Sequence, residues 1–289
     1  MLRIVTDGAA DMPLGWIGKY DIKVIPINIH LNQKTYLQGV DLNDEGFYEI
    51  VERNGTIPKT SQPSPQQFID FYQQFAEIGD TILSMHVTSK LSGTFESAQI
   101  ASRELINKFN IIPFDSASGS AAMGFMCKEA RLLERAGASL EAILERMHFI
   151  RENISITLTL DNLEYAKMSG RVKALQAALA SLLNVKAIVV LQDGVLDMAE
   201  KVRTRQRSIE RIIELTGSKI GDRNVNIAIV QARDMETGRS LLRRVREIFN
   251  INELIMTDLS ISVAANLGPG TVGIIAYPVG ESTTNEKIE

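Results

Sequence analysis

The chain has 289 residues, of which 45% are hydrophobic and 23% are charged, and its formal net charge is −4. This composition predicts a well-filled core, excludes an intrinsically disordered chain and argues against a broad nucleic-acid-binding surface. Because Cys127 is the single cysteine and no uncharged stretch approaches the roughly 20 residues that span a bilayer, we expect a cytoplasmic protein without an internal disulfide framework.

In the first half of the chain, short apolar strands alternate with helical patterns. Strands are predicted at residues 2–6, 24–31, 81–87 and 111–114, and helices after residue 13, at 44–53, from 65 to the glycine at 79, at 94–109, in the Ala-, Gly- and Ser-rich segment after 114, and at 140–151. The helix at 65 has Ser64 as its predicted N-cap and Pro65 in its first position. Strand–helix alternation predicts a largely parallel sheet that is covered on both faces and binds ligands at the carboxyl ends of its strands.

The second half of the chain has a different pattern. Strands are predicted at residues 154–160, 187–191, 195–199, 225–231, 254–259 and 271–277, and helices at 161–169, 173–184, 208–216 and 236–250. Gln192-Asp193-Gly194 is a hairpin signal. We therefore predict an α/β protein of two domains, with a largely parallel, three-layer N-terminal domain at 1–152, a mixed-sheet α/β domain at 153–280, and a frayed tail at 281–289.

Two hydroxyl-rich motifs carry the main chemical signal. Thr60-Ser61-Gln62-Pro63-Ser64-Pro65 and Thr88-Ser89-Lys90-Leu91-Ser92-Gly93-Thr94 both precede predicted helices. A helix N-terminus has unsatisfied N–H groups and a partial positive charge, which suit an anion. Taken singly, these residues are ordinary turn formers and helix caps. Together they predict a site for a carboxylate or phosphate.

The familiar signatures of an enzyme or a metal site are missing. There is no Gly-x-Ser-x-Gly, P-loop, His-Glu-x-x-His or Cys-x-x-Cys motif, and we predict neither a catalytic residue nor a metal ligand. His30, His86 and His148 are interpreted as structural or solvent-facing. The alternative is an enzyme for a small anionic substrate, with Ser92 or Thr60 as nucleophile and Lys90 or Asp115 assisting.

Basic residues recur at every second position in Lys201, Arg203, Arg205 and Arg207. In an extended chain all of them fall on one face. Such a row is either a solvated basic edge or a docking surface for an acidic partner.

An ordered set of motifs resembles one family. The motifs are Thr60-Ser61-Gln62-Pro63-Ser64, Ser89-Lys90-Leu91-Ser92-Gly93-Thr94, Asp115-Ser116, Leu160-Asp161-Asn162-Leu163-Glu164-Tyr165, Gly170-Arg171 and Gly268-Pro269-Gly270. Together with the opening Ile4-Val5-Thr6-Asp7 they resemble the DegV family across nearly the whole chain. These are bacterial fatty-acid-binding proteins, and they include the acyl-carrying subunit of fatty acid kinase.

The resemblance implies a non-catalytic carrier that buries one long-chain fatty acid between two domains. It implies that Thr60, Ser61, Ser92 and N–H groups near Gly93 hold the carboxylate. It further implies that an ATP-dependent kinase subunit, which binds the ATP and Mg²⁺, phosphorylates the acid for phospholipid synthesis and docks at Arg171. Arg203 and Arg205 are weaker docking candidates. The candidates for contact with the acyl chain are Phe95, Met123, Phe125, Ile156 and Leu158.

The sequence departs from the family pattern at three positions. Asn266 stands where members usually have a histidine that supports the head-group network, Gly8 where a serine is usual, and Ala122 where a glycine is usual. Asparagine donates a hydrogen bond but carries no charge, so Asn266 is kept as a head-group residue. A lipid sensor without a kinase partner remains a further alternative.

Overall fold

The computed structural model describes residues 1–173 and 185–280. The predicted helix at 173–184 lies, apart from its first residue, outside the described residues, as does the tail at 281–289. The elements of the first part are β1 (Leu2–Asp7), α1 (Leu14–Lys19), β2 (Ile22–Ile25), β3 (Asn28–Leu31), β4 (Lys34–Leu37), α2 (Asp44–Asn54), β5 (Lys59–Ser61), α3 (Pro65–Phe75), β6 (Thr81–His86), α4 (Thr94–Glu104), β7 (Asn110–Asp115), α5 (Ala121–Arg135) and α6 (Leu140–Asn153).

The elements of the second part continue in chain order. They are β8 (Ser155–Leu160), α7 (Leu163–Ser169), β9 (Val172–Lys173), β10 (Lys186–Gln192), β11 (Val195–Val202), α8 (Arg205–Ile220), β12 (Val225–Gln231), α9 (Met235–Ile248), β13 (Ile251–Asp258), α10 (Ile261–Leu267) and β14 (Val272–Pro278). The predicted hairpin is confirmed, since β10 and β11 pair antiparallel with Gln192 opposite Val195.

The N-terminal part is built on a parallel sheet with strand order β2-β1-β6-β7. On one face, Phe68 and Tyr72 of α3 pack with Val5 and Ile82. The other face packs against α5. The start of α3 is as predicted, because Ser64 and Gln67 form a capping box and Pro65 begins the helix. The predicted parallel sheet with both faces covered is confirmed.

A small antiparallel sheet, with order β4-β3-β5, stands beside the parallel one. The prediction of a single strand at 24–31 is wrong, because Pro26 ends β2 and the chain turns away to form β3. Proline has no N–H to donate to a continuing ladder. β5 was not predicted, and it places Thr60 and Ser61 in a strand rather than at a helix start.

The C-terminal part is a mixed sheet with order β13-β12-β14-β8-β10-β11-β9. Its outer face packs under α8 and α9 through Ile212 and Leu241. Its inner face shares one hydrophobic cluster with the parallel sheet, in which the Phe125 ring of α5 meets the Tyr277 ring of β14 at a centroid distance of 5.2 Å. The predicted α/β class, with a parallel sheet followed by a mixed one, is confirmed.

Gly124 is a tight packing point between α5 and the loop after β1. A Cβ added at Gly124 meets the Asp11 carbonyl oxygen at 2.3 Å and the Met12 Cβ at 3.0 Å. We expect Gly124→Ala to lower the free energy of unfolding by about 2 kcal/mol, although alanine is the better helix former. Gly15→Ala is the control, because no heavy atom lies within 4 Å of its added Cβ. Denaturant unfolding measures both, and a Gly124→Ala variant as stable as the wild type contradicts this packing.

Candidate functional site

A cavity of about 370 Å³ lies where the carboxyl ends of the parallel strands face the inner surface of the mixed sheet. Its volume is within the range of roughly 300–1,000 Å³ that is usual for small-molecule sites. Its polar lining residues are Thr60, Ser61, Gln62, Ser89, Lys90, Ser92, Glu96, Ser118, Ser120, Arg171, Ser262 and Asn266. The rest of its lining is Ala9, Ile27, Val87, Leu91, Gly93, Gly119, Ile156, Leu158, Leu191, Leu196, Val263 and Leu267.

The Thr60 and Ser61 hydroxyls each form a hydrogen bond with a side chain of a neighbouring element. The Asn266 amide nitrogen donates to the Ser262 carbonyl oxygen at 2.6 Å and to Thr60 Oγ1 at 3.4 Å. His30 Nε2 lies 2.7 Å from Ser61 Oγ. Because Thr60 Oγ1 accepts from Asn266, its own proton is free to point toward the cavity. These contacts bring β3, β5 and α10 together at one part of the lining.

Ser92 has a similar arrangement at the start of α4. Its Oγ accepts from the Thr94 N–H at 3.4 Å and lies 2.8 Å from Thr94 Oγ1. Gly93 is the N-cap of this helix, so the first N–H groups of α4 are close by. The predicted cradle of Thr60, Ser61, Ser92 and Gly93 thus lines one cavity together with Asn266.

Sequence reasoning missed a further group of hydroxyls. Ser118 and Ser120 lie in the loop between β7 and α5, and Ser262 lies in the first turn of α10. Ser262 Oγ donates to the Gly8 carbonyl oxygen at 3.0 Å, whereas Ser118 Oγ is buried without a hydrogen-bond partner among the described residues. The available signal was the serine-rich stretch directly after a predicted strand. α10 gave a weak signal, because it is a short helix of small and apolar residues.

Asp11 connects three segments at this end of the cavity. Its carboxylate accepts from Ser120 Oγ and, at 2.8 Å, from the Ser260 N–H. Burial raises the pKa of the Asp11 carboxyl to about 7, although these two donors favour the charged form. The pKa of this side chain is therefore brought close to neutral pH in the folded protein.

The β10–β11 turn closes against the loop after β6. Thr88 Oγ1 donates to the Gly194 carbonyl oxygen at 3.0 Å, and Lys90 Nζ donates to that of Asp193 at 2.7 Å. Asp115 accepts from Ser89 Oγ at 2.6 Å. The candidate catalytic assistants Lys90 and Asp115 therefore contact these groups rather than Ser92 or Thr60.

The predicted acyl-chain residues separate into two groups. Ile156 and Leu158 of β8 line the cavity beside Leu191 and Leu196 of the β10–β11 hairpin. Phe95, Met123 and Phe125 do not line it, and we correct their assignment. Met123 and Phe125 are fully buried in α5, where the Phe125 ring packs against Trp16 and Tyr277. Phe95 is half-buried on α4.

The predicted basic row is broken. Thr204 caps α8 by accepting from the Arg207 N–H, so Arg205 and Arg207 are helical while Lys201 lies in β11. Arg205 pairs with Asp234 at 2.6 Å and donates to the Gly270 carbonyl oxygen. Arg203 is exposed. Arg171 lines the cavity, and its guanidinium donates to the Ser169 carbonyl oxygen.

The remaining histidines and the cysteine lie in packed surroundings. His86 is fully buried between Asp7 and Ser84, at 3.1 Å and 2.7 Å. The His148 ring packs against Phe114. Burial raises the pKa of the Cys127 thiol to about 12. Within residues 1–173 and 185–280, no cluster of His, Cys, Asp or Glu is arranged to hold a metal ion, and no helix is long and apolar enough to cross a membrane.

The fold and the cavity together define a class of α/β protein in which a parallel and a mixed sheet enclose a hydroxyl-rich, partly apolar pocket. The chain belongs to the DegV family, whose model, described as one of uncharacterised proteins, matches residues 1–279. A DegV domain-containing protein from Caldanaerobacter subterraneus subsp. tengcongensis is 30% identical over 276 residues, which cover 94% of this chain and 97% of that one.

Solved structures of the family show the same fold. A DegV family protein from Thermus thermophilus, reported for its fatty acid binding, superposes with a TM-score of 0.87 at 28% identity, covering 96% of this chain and 99% of that one. DegV from Bacillus subtilis, described as a fatty acid binding protein, superposes with a TM-score of 0.86 at 28% identity over the same shares of the two chains.

The raised pKa of Asp11 predicts a pH-dependent stability. Since the folded pKa of about 7 exceeds the ordinary value of 3.8, the folded state holds more protons between these values. The free energy of unfolding therefore falls as pH rises toward 7, by at most about 1.4 kcal/mol per pH unit, and levels off above 7. Asp11→Asn removes this dependence. The free energy of unfolding of the variant minus that of the wild type should therefore increase between pH 5 and pH 8.

Asp21→Asn is the control for this measurement. The Lys23 ammonium lowers the pKa of the Asp21 carboxyl, so that group is ionised in the folded and unfolded states throughout the same range. Denaturant unfolding at several pH values should give a constant difference for Asp21→Asn. A constant difference for Asp11→Asn as well refutes the raised pKa.

Proposed function

We propose that this chain is a non-catalytic carrier that binds one long-chain fatty acid in the cavity. The proposal rests on the residues that line this cavity, which combine hydroxyl groups with apolar side chains. Thr60, Ser61 and Ser92 supply hydroxyl groups near the start of α4, and Ile156 and Leu158 supply an apolar sheet surface. The fatty acid binding reported for relatives from Thermus thermophilus and Bacillus subtilis supports the same ligand class.

The two parts of the lining would contribute differently to binding. Burial of acyl methylenes contributes roughly 0.8 kcal/mol each, so the chain would supply most of the gross affinity. The head-group hydroxyls and the N–H groups near Gly93 would then orient the carboxylate and neutralise part of its charge. In this arrangement the proposed domains, residues 1–152 and 153–280, each contribute one wall of the site.

We further propose that a partner acts on the bound acid. An ATP-dependent kinase subunit, with its own ATP and Mg²⁺, would convert the carboxylate to an acyl phosphate for phospholipid synthesis in the cytoplasm. Arg171 is the proposed docking residue, because it combines a place in the cavity lining with a cationic side chain. Arg203 remains a docking candidate on account of its exposure. Arg205 is the weaker one, since Asp234 already pairs with it.

An enzyme for a small anionic substrate, with Ser92 or Thr60 as its nucleophile, is less well supported. A serine or threonine nucleophile needs a general base within hydrogen-bond reach. Ser92 Oγ contacts Thr94, and Thr60 Oγ1 contacts the Asn266 amide, neither of which is a base. A lipid sensor would use the same cavity and differ only in its partner.

The first test is native mass spectrometry of the purified protein, followed by denaturing extraction of any bound molecule. We expect one fatty acid per chain. A protein that is empty as purified and takes up no added fatty acid refutes the carrier. In that case the enzyme for a small anion becomes the leading hypothesis.

The head-group cradle is tested by Ser92→Ala. Loss of a hydrogen bond to a charged group costs about 1.5–3 kcal/mol, so the affinity for a fatty acid should fall at least about tenfold. Ser218→Ala is the control, because Ser218 is exposed on α8, does not line the cavity, and donates its hydroxyl proton to the Glu214 carbonyl oxygen. Titration of the delipidated variants with hexadecanoic acid measures the difference. Equal affinities of Ser92→Ala and the wild type contradict the proposed cradle.

A further inference from the structure

A Ser–His–Thr hydrogen-bond chain reaches the cavity from the small antiparallel sheet. His30 Nε2 lies 2.7 Å from Ser61 Oγ, and His30 Nδ1 lies 2.9 Å from Thr35 Oγ1. Ser61 lines the cavity, whereas His30 does not. His30 therefore contacts the cavity only through the serine hydroxyl.

The protonation of the imidazole decides what Ser61 offers to a ligand. When Nε2 carries a proton, it donates to Ser61 Oγ, and the serine proton is free to point into the cavity. When only Nδ1 carries a proton, Nε2 accepts the serine proton, and Ser61 presents only a lone pair to the cavity. The first arrangement suits an anion, and the second repels it.

The Thr35 hydroxyl is compatible with both arrangements, because a hydroxyl both donates and accepts. An anion beside Ser61 therefore selects the state with a proton on Nε2 at no cost to the Thr35 contact. The same geometry holds for a doubly protonated ring, which donates to both hydroxyls and adds a positive charge behind the serine.

We infer that His30 is a positioning residue that turns the Ser61 hydroxyl into a donor and so makes the cavity prefer a carboxylate over a neutral head group. The inference rests on the proposed function and adds to it the selection between acid and alcohol. Asn266 plays the equivalent part behind Thr60, where its amide nitrogen donates to the threonine oxygen.

The experiment compares two ligands of equal chain length on the delipidated full-length protein. Hexadecanoic acid carries the anion, and hexadecan-1-ol has a hydroxyl that accepts either orientation of Ser61. We expect His30→Ala to weaken acid binding about tenfold and to change alcohol binding by less than about twofold. His30→Gln retains a donor and should recover part of the acid affinity.

A double-mutant cycle separates positioning from a structural effect. If His30 acts through Ser61, His30→Ala has no further effect on acid binding in the Ser61→Ala background. Lys59→Ala is the matched control, because Lys59 is the exposed cross-strand neighbour of His30 and does not line the cavity. Its removal takes away a nearby positive charge but leaves the Ser61 contact in place, so acid binding should be unchanged.

The possible results are distinct. Loss of acid binding alone, abolished in the Ser61→Ala background, supports the inference. Equal weakening of acid and alcohol, unchanged acid binding, or effects that add to those of Ser61→Ala overturn it while the carrier function stands. A wild-type protein that binds neither ligand overturns the carrier function itself, and this inference with it.

Discussion

Burial of the Asp11 carboxyl is the constraint on which the geometry of the cavity depends. This side chain joins the loop after β1 to the starts of α5 and α10, which belong to different parts of the chain. A buried carboxylate without donors is strongly unfavourable, so the Ser120 hydroxyl and the Ser260 N–H must remain in place for the charged form to persist. Ser118 and Ser262, which line the cavity, each lie two residues along the chain from one of these donors.

The hydroxyls of the site are useful because other groups hold their orientation. A hydroxyl on its own donates and accepts equally well and does not discriminate between ligands. The Asn266 amide donates to Thr60 Oγ1 and the Thr94 N–H donates to Ser92 Oγ, so one of the two lone pairs of each oxygen is engaged. One of these donors, Asn266, lines the cavity itself, whereas Thr94 does not. Apolar residues of β8, β10 and β11 line another part of the cavity.

The sequence predicted most of the fold because its local signals agree with one another. Ser64, Gln67 and Pro65 mark the start of α3 through capping chemistry, and Asp193-Gly194 marks the β10–β11 turn. β5 and α10 were missed because each is short, and the pairing of β5 with β3 depends on the turn at Pro26. The turn at Pro26 cannot be predicted without knowing that β3 belongs to a different sheet from β2.

The predicted hydroxyls line one cavity, whereas three of the predicted acyl-chain residues lie outside it. Thr60, Ser61 and Ser92 are predicted from their places before expected helices and from the family resemblance, whereas the Phe125 ring, predicted to contact the acyl chain, packs between Trp16 and Tyr277. His30 was interpreted as structural because nothing in the spacing of β3 and β5 indicates that it meets Ser61. Helical or strand periodicity predicts on which face of its element a residue lies, but it does not predict which residue of another element packs against it.

The contact between the β10–β11 turn and the loop after β6 determines which substitutions the turn can accept. Both acceptors in that contact are backbone carbonyl oxygens, of Asp193 and Gly194, so any residue at position 193 that keeps the turn conformation preserves its hydrogen bond. Both positions have a left-handed backbone, with a φ of +50° at Asp193 and +76° at Gly194, and a Cβ added at Gly194 lies 2.6 Å from Thr88 Oγ1. Residue 193 can therefore change its charge by exchange among Asp, Asn and Gly, which adopt this conformation readily, whereas residue 194 must remain glycine.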